Sequence, residues 1–220
     1  MTKNWWKLLA SVLVLFSIVA GLLNDVPRLP ILHESIRNLY FHVPMWFTMI
    51  VLFSISVVYS VKYLSSGNEH DDLVAVECIN TGIIFTFLGL TTGMIWANFT
   101  WGSPWPDDPK LNSAAIAALM YLAYLVLRNS LDEEQKRARI SAIYNIFAYP
   151  VMIVLLFVLP RMTDSLHPGN GGNPGFNSYD LDNNMRLVFY PAVLGWILIG
   201  VWIATLRFRI RKIENKQNAV

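Results

Sequence analysis

The loop at residues 96–110 reads WANFTWGSPWPDDPK and separates two long apolar runs, at about residues 73–97 and 111–127. Its proline and glycine residues break any continuous helix. Three tryptophans stand five and four residues apart within this tryptophan loop. Indole rings are flat and polarizable, carry one N–H donor each and favour the boundary between membrane and water. An aromatic loop at that boundary suits a large, flat, amphipathic ligand.

Apolar runs of the same kind recur along the whole chain. Of its 220 residues, 55% are apolar and only 15% are charged, whereas a soluble domain has about 25% charged residues. A membrane-crossing helix needs about 20 apolar residues, and six runs approach or exceed that length. They cover residues 8–23, 43–64, 73–97, 111–127, 140–159 and 187–206. The sequence therefore predicts an all-α, polytopic membrane protein with six transmembrane helices, in which residues 1–220 form a single domain.

The positions of Lys and Arg predict the orientation of this chain in the membrane. If both termini lie in the cytoplasm, the inner segments hold twelve of the seventeen basic residues and the outer loops hold five. Because short cytoplasmic loops are enriched in Lys and Arg, we expect an N-in, C-in topology. The tryptophan loop then faces outward, together with the longer loops that are rich in Pro, Gly and aromatic residues.

Several motifs of catalysis and covalent cofactor attachment are missing from the sequence. Cys78 is the single cysteine, so the chain by itself cannot form a disulfide, a Cys-based metal site or a Cys-x-x-Cys-His haem attachment. No Gly-x-x-x-x-Gly-Lys-Ser/Thr motif is present, so any ATP hydrolysis must come from a partner. We recognise no independent catalytic site.

The four histidines divide into two groups. His33 and His70 are interpreted as surface residues of an outer and an inner loop. His42 comes just before the second apolar run, which Pro44 is expected to open at its first helical turn. His167 follows the fifth run, so both of these rings are expected at the outer rim. Two neutral imidazoles from separate segments can supply both axial ligands of a haem iron; ordinary interfacial histidines are the alternative.

A porphyrin also needs flat apolar contacts and cationic groups near its propionates. Asp108 can fix a histidine ring nitrogen or cap a helix near Leu111. Glu77, near the inner end of the third span, is interpreted as interfacial. The outer cations that could pair with propionates are Arg28, Arg37, Lys110, Arg161 and Arg186, and the tryptophans assigned to an interfacial belt are Trp5, Trp6, Trp46, Trp196 and Trp202.

Two other functional classes remain open from the residues alone. A b-type haem redox membrane protein would place its histidines inside helices that face the bundle core. A permease subunit of an ABC transporter would show broken helices or charges near the middle of the membrane. The loop at residues 160–186 is rich in glycine after position 168, and we expect it to be mobile without a partner.

The tryptophan loop resembles the WWD region of haem-handling cytochrome c assembly proteins, namely the haem exporter protein C (CcmC) family and its longer CcsA relatives. That pattern runs approximately W-G-x-x-x-W-G-x-x-W-x-W-D-x-(R/K)-L-T. It is matched in register by Trp96, Trp101, Gly102, Trp105, Asp108, Lys110 and Leu111. The segment at residues 37–44, which contains Arg37 and His42, is similar to the family's first histidine site, and His167 occupies the place of the second.

The resemblance implies that His42 and His167 are the axial ligands of a haem b (iron protoporphyrin IX) iron. It further implies that Trp96, Trp101, Trp105 and Asp108 cradle the porphyrin, with Lys110 and Arg37 as further contacts.

The implied task is to bind haem at the outer face of the bacterial cytoplasmic (inner) membrane during cytochrome c biogenesis. The haem is then delivered to a membrane-anchored chaperone, CcmE. CcmA and CcmB, as an ABC transporter, and the small subunit CcmD are the implied partners. We further expect this chain to promote covalent attachment of haem to the chaperone by orienting it. Membrane lipid, and no nucleic acid, is expected around the chain.

The chain also departs from the family pattern. Asp107 stands where the last tryptophan is usual, Ala97 replaces a glycine, and the stretch after His167 is unusually rich in Gly and Asn. We therefore expect this chain to contact the porphyrin through a partly different set of residues than the family pattern implies. The chain is shorter than the CcsA proteins, and its six-span plan matches CcmC.

Overall fold

A computed structural model describes residues 4–167, 176 and 181–218, and every regular element in these residues is helical. Six of the helices are long and apolar enough to cross a membrane. They are α1 (Trp5–Leu23), α2 (Leu39–Ser66), α3 (Glu69–Trp101), α4 (Pro109–Asn129), α5 (Glu134–Ile153) and α6 (Asn183–Asn218). The prediction of an all-α, six-span protein is confirmed. The glycine-rich stretch at 169–175, predicted to be mobile, lies outside the described residues.

Polar residues and glycines set the ends of α3 and α4. The side chain of Asn68 accepts a hydrogen bond from the His70 N–H at the start of α3. Gly102 ends α3 with a φ of 75°, a left-handed conformation that favours glycine. Asp108 caps α4. Trp96 and Trp101 therefore lie in the last turns of α3, and only residues 102–108 of the tryptophan loop connect the two helices.

The helix α2 packs closely along α3 through a line of glycines. Gly82, Gly89 and Gly93 are seven and four residues apart, a spacing that places them on one face of α3. A Cβ at Gly82 would collide with the Phe53 ring, and one at Gly89 would lie 2.8 Å from Cε2 of Trp46. Because small residues let membrane helices approach closely, large rings of α2 can lie directly against the backbone of α3.

A buried polar network ties α5 to α2 and α3. The Asn145 amide of α5 donates to the hydroxyls of Ser56 and Ser60, at 2.8 and 2.9 Å. Ser56 in turn donates to the carbonyl of Ala75 on α3 at 2.8 Å. A polar group in an apolar interior is costly unless it is hydrogen-bonded, so these contacts fix the relative positions of the three helices.

The helix α2 begins earlier than the sequence predicted. A 3₁₀ segment, His33–Asn38, runs directly into it. His42 is the fourth residue of α2, and the prediction that Pro44 opens the helix is wrong. Buried Ile36 and Tyr40 pack into one apolar cluster with residues of α6, and this packing extends the helix beyond its uninterrupted apolar run.

The helix α5 reaches the same end of the bundle through irregular turns. It continues as a π-helical segment, Val154–Val158, and then as a 3₁₀ turn, Leu159–Arg161. A π-helical turn widens the helix and shifts the direction of the side chains beyond it. Arg161 ends the second of these turns and His167 follows six residues later, near the α3–α4 connection.

Glu77, interpreted from the sequence as interfacial, is a buried residue with charged partners. Its side chain is only 2% exposed and lies between α3 and α6. Its carboxylate forms ion pairs with Arg207 and Arg211, with N–O distances of 2.8 and 3.4 Å. A buried carboxylate needs such partners because leaving it unpaired in a medium of low polarity is costly.

Candidate functional site

His42 is held by the backbone of α3. Its Nδ1 lies 3.0 Å from the Gly89 carbonyl oxygen and 3.1 Å from Oγ1 of Thr92. A carbonyl oxygen can only accept, so the Nδ1 of His42 carries the proton of this hydrogen bond. In the neutral ring, Nε2 then presents an unprotonated lone pair, and it forms no hydrogen bond to any residue that the structure describes. The ring is preset as a nitrogen ligand.

Three neighbours fix the plane of the His42 ring. A Cβ added at Gly93 would lie 2.7 Å from the ring's Cε1, so only glycine leaves it room. Trp46 and Trp96 meet the ring edge-on, with centroids 6.2 and 5.9 Å away. Trp96 is itself held by a hydrogen bond from its Nε1 to the hydroxyl of Ser35, at 3.0 Å.

The ring of His167 is also held through its Nδ1, in this case by Asp108 at the start of α4. Its Nδ1 donates to Oδ1 of Asp108 at 3.0 Å, and Trp101 packs edge-on against the ring at 4.9 Å. Burial lowers the pKa of the His167 imidazole below its usual value, although the Asp108 carboxylate opposes this shift. The ring is therefore neutral at pH 7. A carboxylate bound to one ring nitrogen fixes the tautomer and leaves the other nitrogen free to bind a metal.

Asp108 performs both of the roles that its sequence position suggested. Its Oδ1 also accepts hydrogen bonds from the N–H groups of Lys110 and Leu111, at 2.9 and 3.2 Å, and so caps α4. Its Oδ2 accepts from the Ser165 hydroxyl and the Leu166 N–H, at 2.8 and 2.7 Å. Burial raises the pKa of the Asp108 carboxyl, but the hydrogen bonds from His167, Leu166 and Ser165 outweigh it and lower the pKa overall.

The two histidines line one cavity of about 230 Å³. It lies between α2, α3, α4 and the irregular turns that follow α5. The residues predicted for a ligand site that line it are His42, Trp96, Trp105, Lys110 and His167. Arg161, one of the five candidate cations, also lines it. Its side chain is therefore near Lys110, and the cavity combines two ring nitrogens, aromatic walls and two cations.

Three of the predicted site residues do not line this cavity. Trp101 and Asp108 lie behind His167 and contact its ring. Arg37 faces the first outer loop. It forms an ion pair with Glu34 at 2.8 Å and donates hydrogen bonds to the carbonyls of Gly21 and Asn24.

Other wall residues were not singled out from the sequence. Trp46, assigned to an interfacial belt, lines the cavity, so that assignment is wrong. Its position four residues after His42 on one helix was the available signal, because residues i and i+4 share a helix face. Other apolar side chains of the wall include Phe47, Met94, Phe157 and Phe176.

A sequence model of haem exporter protein C, CcmC, matches residues 1–220. The chain belongs to this family. The haem exporter protein C of Bradyrhizobium diazoefficiens is 25% identical over 186 residues, which are 83% of this chain and 70% of that protein. The protein of the same name from Rhodobacter capsulatus is 25% identical over 211 residues, 94% of this chain and 84% of that protein.

A CcsA protein shares a shorter segment with this CcmC family member. The cytochrome c biogenesis protein CcsA of Prochlorococcus marinus is 40% identical over 82 residues, which are 37% of this chain and 26% of that protein. The CcmC match covers the whole chain, and the resemblance stated from the sequence is confirmed. Together with the six apolar helices, it identifies a multi-pass membrane protein.

Proposed function

We propose that this chain binds haem at the outer face of the bacterial inner membrane and delivers it to a membrane-anchored, CcmE-like haem chaperone during cytochrome c biogenesis. One observation carries the proposal. His42 and His167 come from segments 125 residues apart in the chain, yet both line one cavity with Nδ1 already hydrogen-bonded. Two rings preset to offer Nε2 are what an axially ligated metal requires.

The cavity residues fit haem b. His42 and His167 would ligate the iron, Trp46, Trp96 and Trp105 would contact the porphyrin, and Lys110 and Arg161 would pair with the propionates. Bound haem supplies an iron that accepts two axial nitrogen ligands. With both positions filled by protein nitrogens, the chain would carry the group without opening it to oxygen.

The size of the cavity agrees with transfer to a partner. Its volume of about 230 Å³ is below the roughly 300–1,000 Å³ of pockets that bury most of a ligand. A porphyrin held between the two histidines would therefore keep part of its edge outside. Trp105, 38% exposed at the rim, lies where the chaperone would approach. The chain would promote covalent attachment by orienting that edge.

The orientation and the partners belong to the same proposal. The excess of Lys and Arg in the inner segments supports cytoplasmic termini and an outward-facing ligand cavity. Residues 1–220 would act as one integral-membrane haem-handling domain. A CcmA/CcmB-type ABC transporter would supply the ATP hydrolysis for which this chain has no motif, and a CcmD-like small subunit would join the assembly.

The visible spectrum of the chain purified in detergent with added haem tests this proposal. We expect a Soret band with a low-spin pattern, weakened in His42→Ala and in His167→Ala. His33→Ala and His70→Ala serve as matched controls, because both of these rings lie outside the cavity. Unchanged haem binding in both cavity variants would disprove the ligand assignment. Absence of haem binding by the parent chain would disprove the function.

A further inference from the structure

A second and larger cavity opens at the opposite end of the bundle. Its volume is about 1110 Å³, and it lies between the end of α2, the start of α3, the end of α4, the start of α5 and the end of α6. Four carboxylates and six cations line it. The cations are Arg128, Lys136, Arg137, Arg139, Arg207 and Arg211.

Glu77 holds two of these cations in a defined arrangement. It lies behind the wall, and its two oxygens pair with Nε of Arg207 and Nε of Arg211, at 2.8 and 3.4 Å. One buried charge thus orients two guanidinium groups, which are 39% and 49% exposed. The terminal nitrogens of Arg207 bond to no residue in the described part of the chain. A terminal nitrogen of Arg211 lies 3.9 Å from a carboxylate oxygen of Glu214 at the surface, whereas Arg207 keeps N–H donors that Glu77 does not use.

Among the remaining cations of the wall, some are paired with carboxylates in the described ranges and others are not. Arg128 binds Asp72 with two hydrogen bonds of 2.8 and 2.6 Å, which neutralise it. Arg139, by contrast, forms no ion pair with any residue between positions 4 and 167 or on α6. It lies on the first turns of α5 and adds a third available cation to those held by Glu77.

The depth of the cavity matches the phosphate layer of a bilayer. The 33 residues of α3 span about 50 Å at 1.5 Å per residue, whereas the hydrocarbon core is about 30 Å thick. About 10 Å of the helix therefore extends beyond the core at each end if it is centred. Glu77 is eight residues, or about 12 Å, from the start of α3. With α3 centred in this way, the guanidinium groups that Glu77 orients would lie at the boundary between headgroups and hydrocarbon.

We propose that this cavity binds the phosphate of an anionic phospholipid headgroup, through Arg207, Arg211 and Arg139. Guanidinium groups bind phosphate oxygens through paired N–H donors, and basic pockets between transmembrane helices bind anionic lipid headgroups. The apolar side chains of Leu64, Leu73 and Leu125 also line the cavity and provide surface for the start of an acyl chain. The bound lipid would join α3, α5 and α6 at this end of the bundle.

Native mass spectrometry of the full chain tests the proposal. The chain, purified in detergent, is titrated with phosphatidylglycerol, with phosphatidylethanolamine and with inorganic phosphate. We expect saturable binding of phosphatidylglycerol at least about tenfold tighter than that of phosphatidylethanolamine. Millimolar phosphate should leave this binding in place. Displacement by phosphate would overturn the lipid assignment in favour of a free-phosphate site. Equal binding of the two lipids, or binding of neither, would overturn the proposal.

Two variants and a control locate the binding. The triple variant Glu77→Gln, Arg207→Gln, Arg211→Gln removes the buried carboxylate together with its partners, so no buried charge is left unpaired; Glu214, which loses Arg211, is exposed. Arg139→Gln removes a cation that no carboxylate holds and therefore leaves the fold intact. Both should weaken phosphatidylglycerol binding, the triple variant by about tenfold or more. Arg209→Gln is the control, because Arg209 is exposed on α6 and does not line the cavity. Equal affinity in all variants would overturn the proposal.

Discussion

At the scale of single residues, the candidate site depends on groups that orient the two histidines rather than on the histidines alone. Asp108 fixes His167, and the carbonyl of Gly89 fixes His42. Each holds Nδ1 and leaves Nε2 for a ligand. Such partners usually change metal affinity by about 10–100-fold when they are removed, so their substitution separates orientation from ligation.

Replacing Asp108 should weaken haem binding while both histidines stay in place. Asp108→Asn removes the charge that stabilises the His167 hydrogen bond, although asparagine remains a good helix cap. We expect haem affinity to fall by about 10–100-fold in a Soret titration. Asp107→Asn is the control, because Asp107 is exposed and bonds to Asn112 rather than to a histidine. Parental affinity in Asp108→Asn would contradict the orienting role.

Filling the space beside His42 should displace its ring. A methyl group at Gly93 would lie 2.7 Å from Cε1 of His42, and such overpacking costs about 1–3 kcal/mol. Gly93→Ala should therefore lower haem affinity about tenfold or more and change the low-spin spectrum. Thr91→Ala, on an exposed face of the same helix, should leave both unchanged. A parental spectrum in Gly93→Ala would show that the ring does not need this position.

Residue patterns predicted the site unevenly. The family pattern selected His42, Trp96, Trp105, Lys110 and His167, and these five residues line one cavity. Arg37 belongs to the same pattern, yet its partners are carbonyls of the first outer loop. A sequence pattern records which residues occur together and does not distinguish a wall residue from one that braces a neighbouring loop.

At the scale of helices, the positions of the spans were predictable because a membrane-crossing helix needs a long apolar run. Which helices pack against each other was not predictable. The start of α2 lies outside its apolar run because Ile36 and Tyr40 pack against α6. The partners of Glu77 are 130 and 134 residues away along the chain. Such contacts leave no local signal in a single sequence, so the burial and the ion pairs of Glu77 could not be predicted.

The ion pairs of Glu77 should stabilise the packing of α3 against α6. Glu77→Gln leaves Arg207 and Arg211 without their carboxylate, and hydrogen bonds to charged groups contribute about 1.5–3 kcal/mol. We expect a lower melting temperature for the detergent-solubilised chain, with haem affinity retained because the cavity proposed to bind haem lies at the other end. Glu214→Gln is the matched control, since Glu214 meets the same Arg211 at 3.9 Å on the surface. Equal melting temperatures for both variants would contradict this role.

At the scale of the whole molecule, the two ends of the bundle differ in chemistry. One end has a small aromatic cavity with two histidines, and the other has a large cavity walled by charged side chains. This polarity agrees with the distribution of Lys and Arg along the sequence. Because the two ends differ, labelling each end separately tests the N-in, C-in orientation directly.

Labelling of introduced cysteines should reveal the orientation. Thr163→Cys and Ser130→Cys place thiols at exposed positions on opposite ends of the bundle. A membrane-impermeant maleimide should label the first variant in intact spheroplasts and the second only after permeabilisation. The native Cys78 is buried, so the parent chain provides the unlabelled background. The reverse labelling pattern would show that the haem cavity faces the cytoplasm.

The shared oxygen of Asp108 has a mechanical consequence. Oδ1 of Asp108 accepts hydrogen bonds from the His167 ring and from the first amides of α4. If the ring rotates when the proposed haem ligand is released, the hydrogen bonds of these amides should weaken as well. The hydrogen exchange of the Lys110 and Leu111 amides should therefore report whether the ligand is bound. Their deuterium uptake should rise when haem is removed, so haem binding could be measured without using its absorbance.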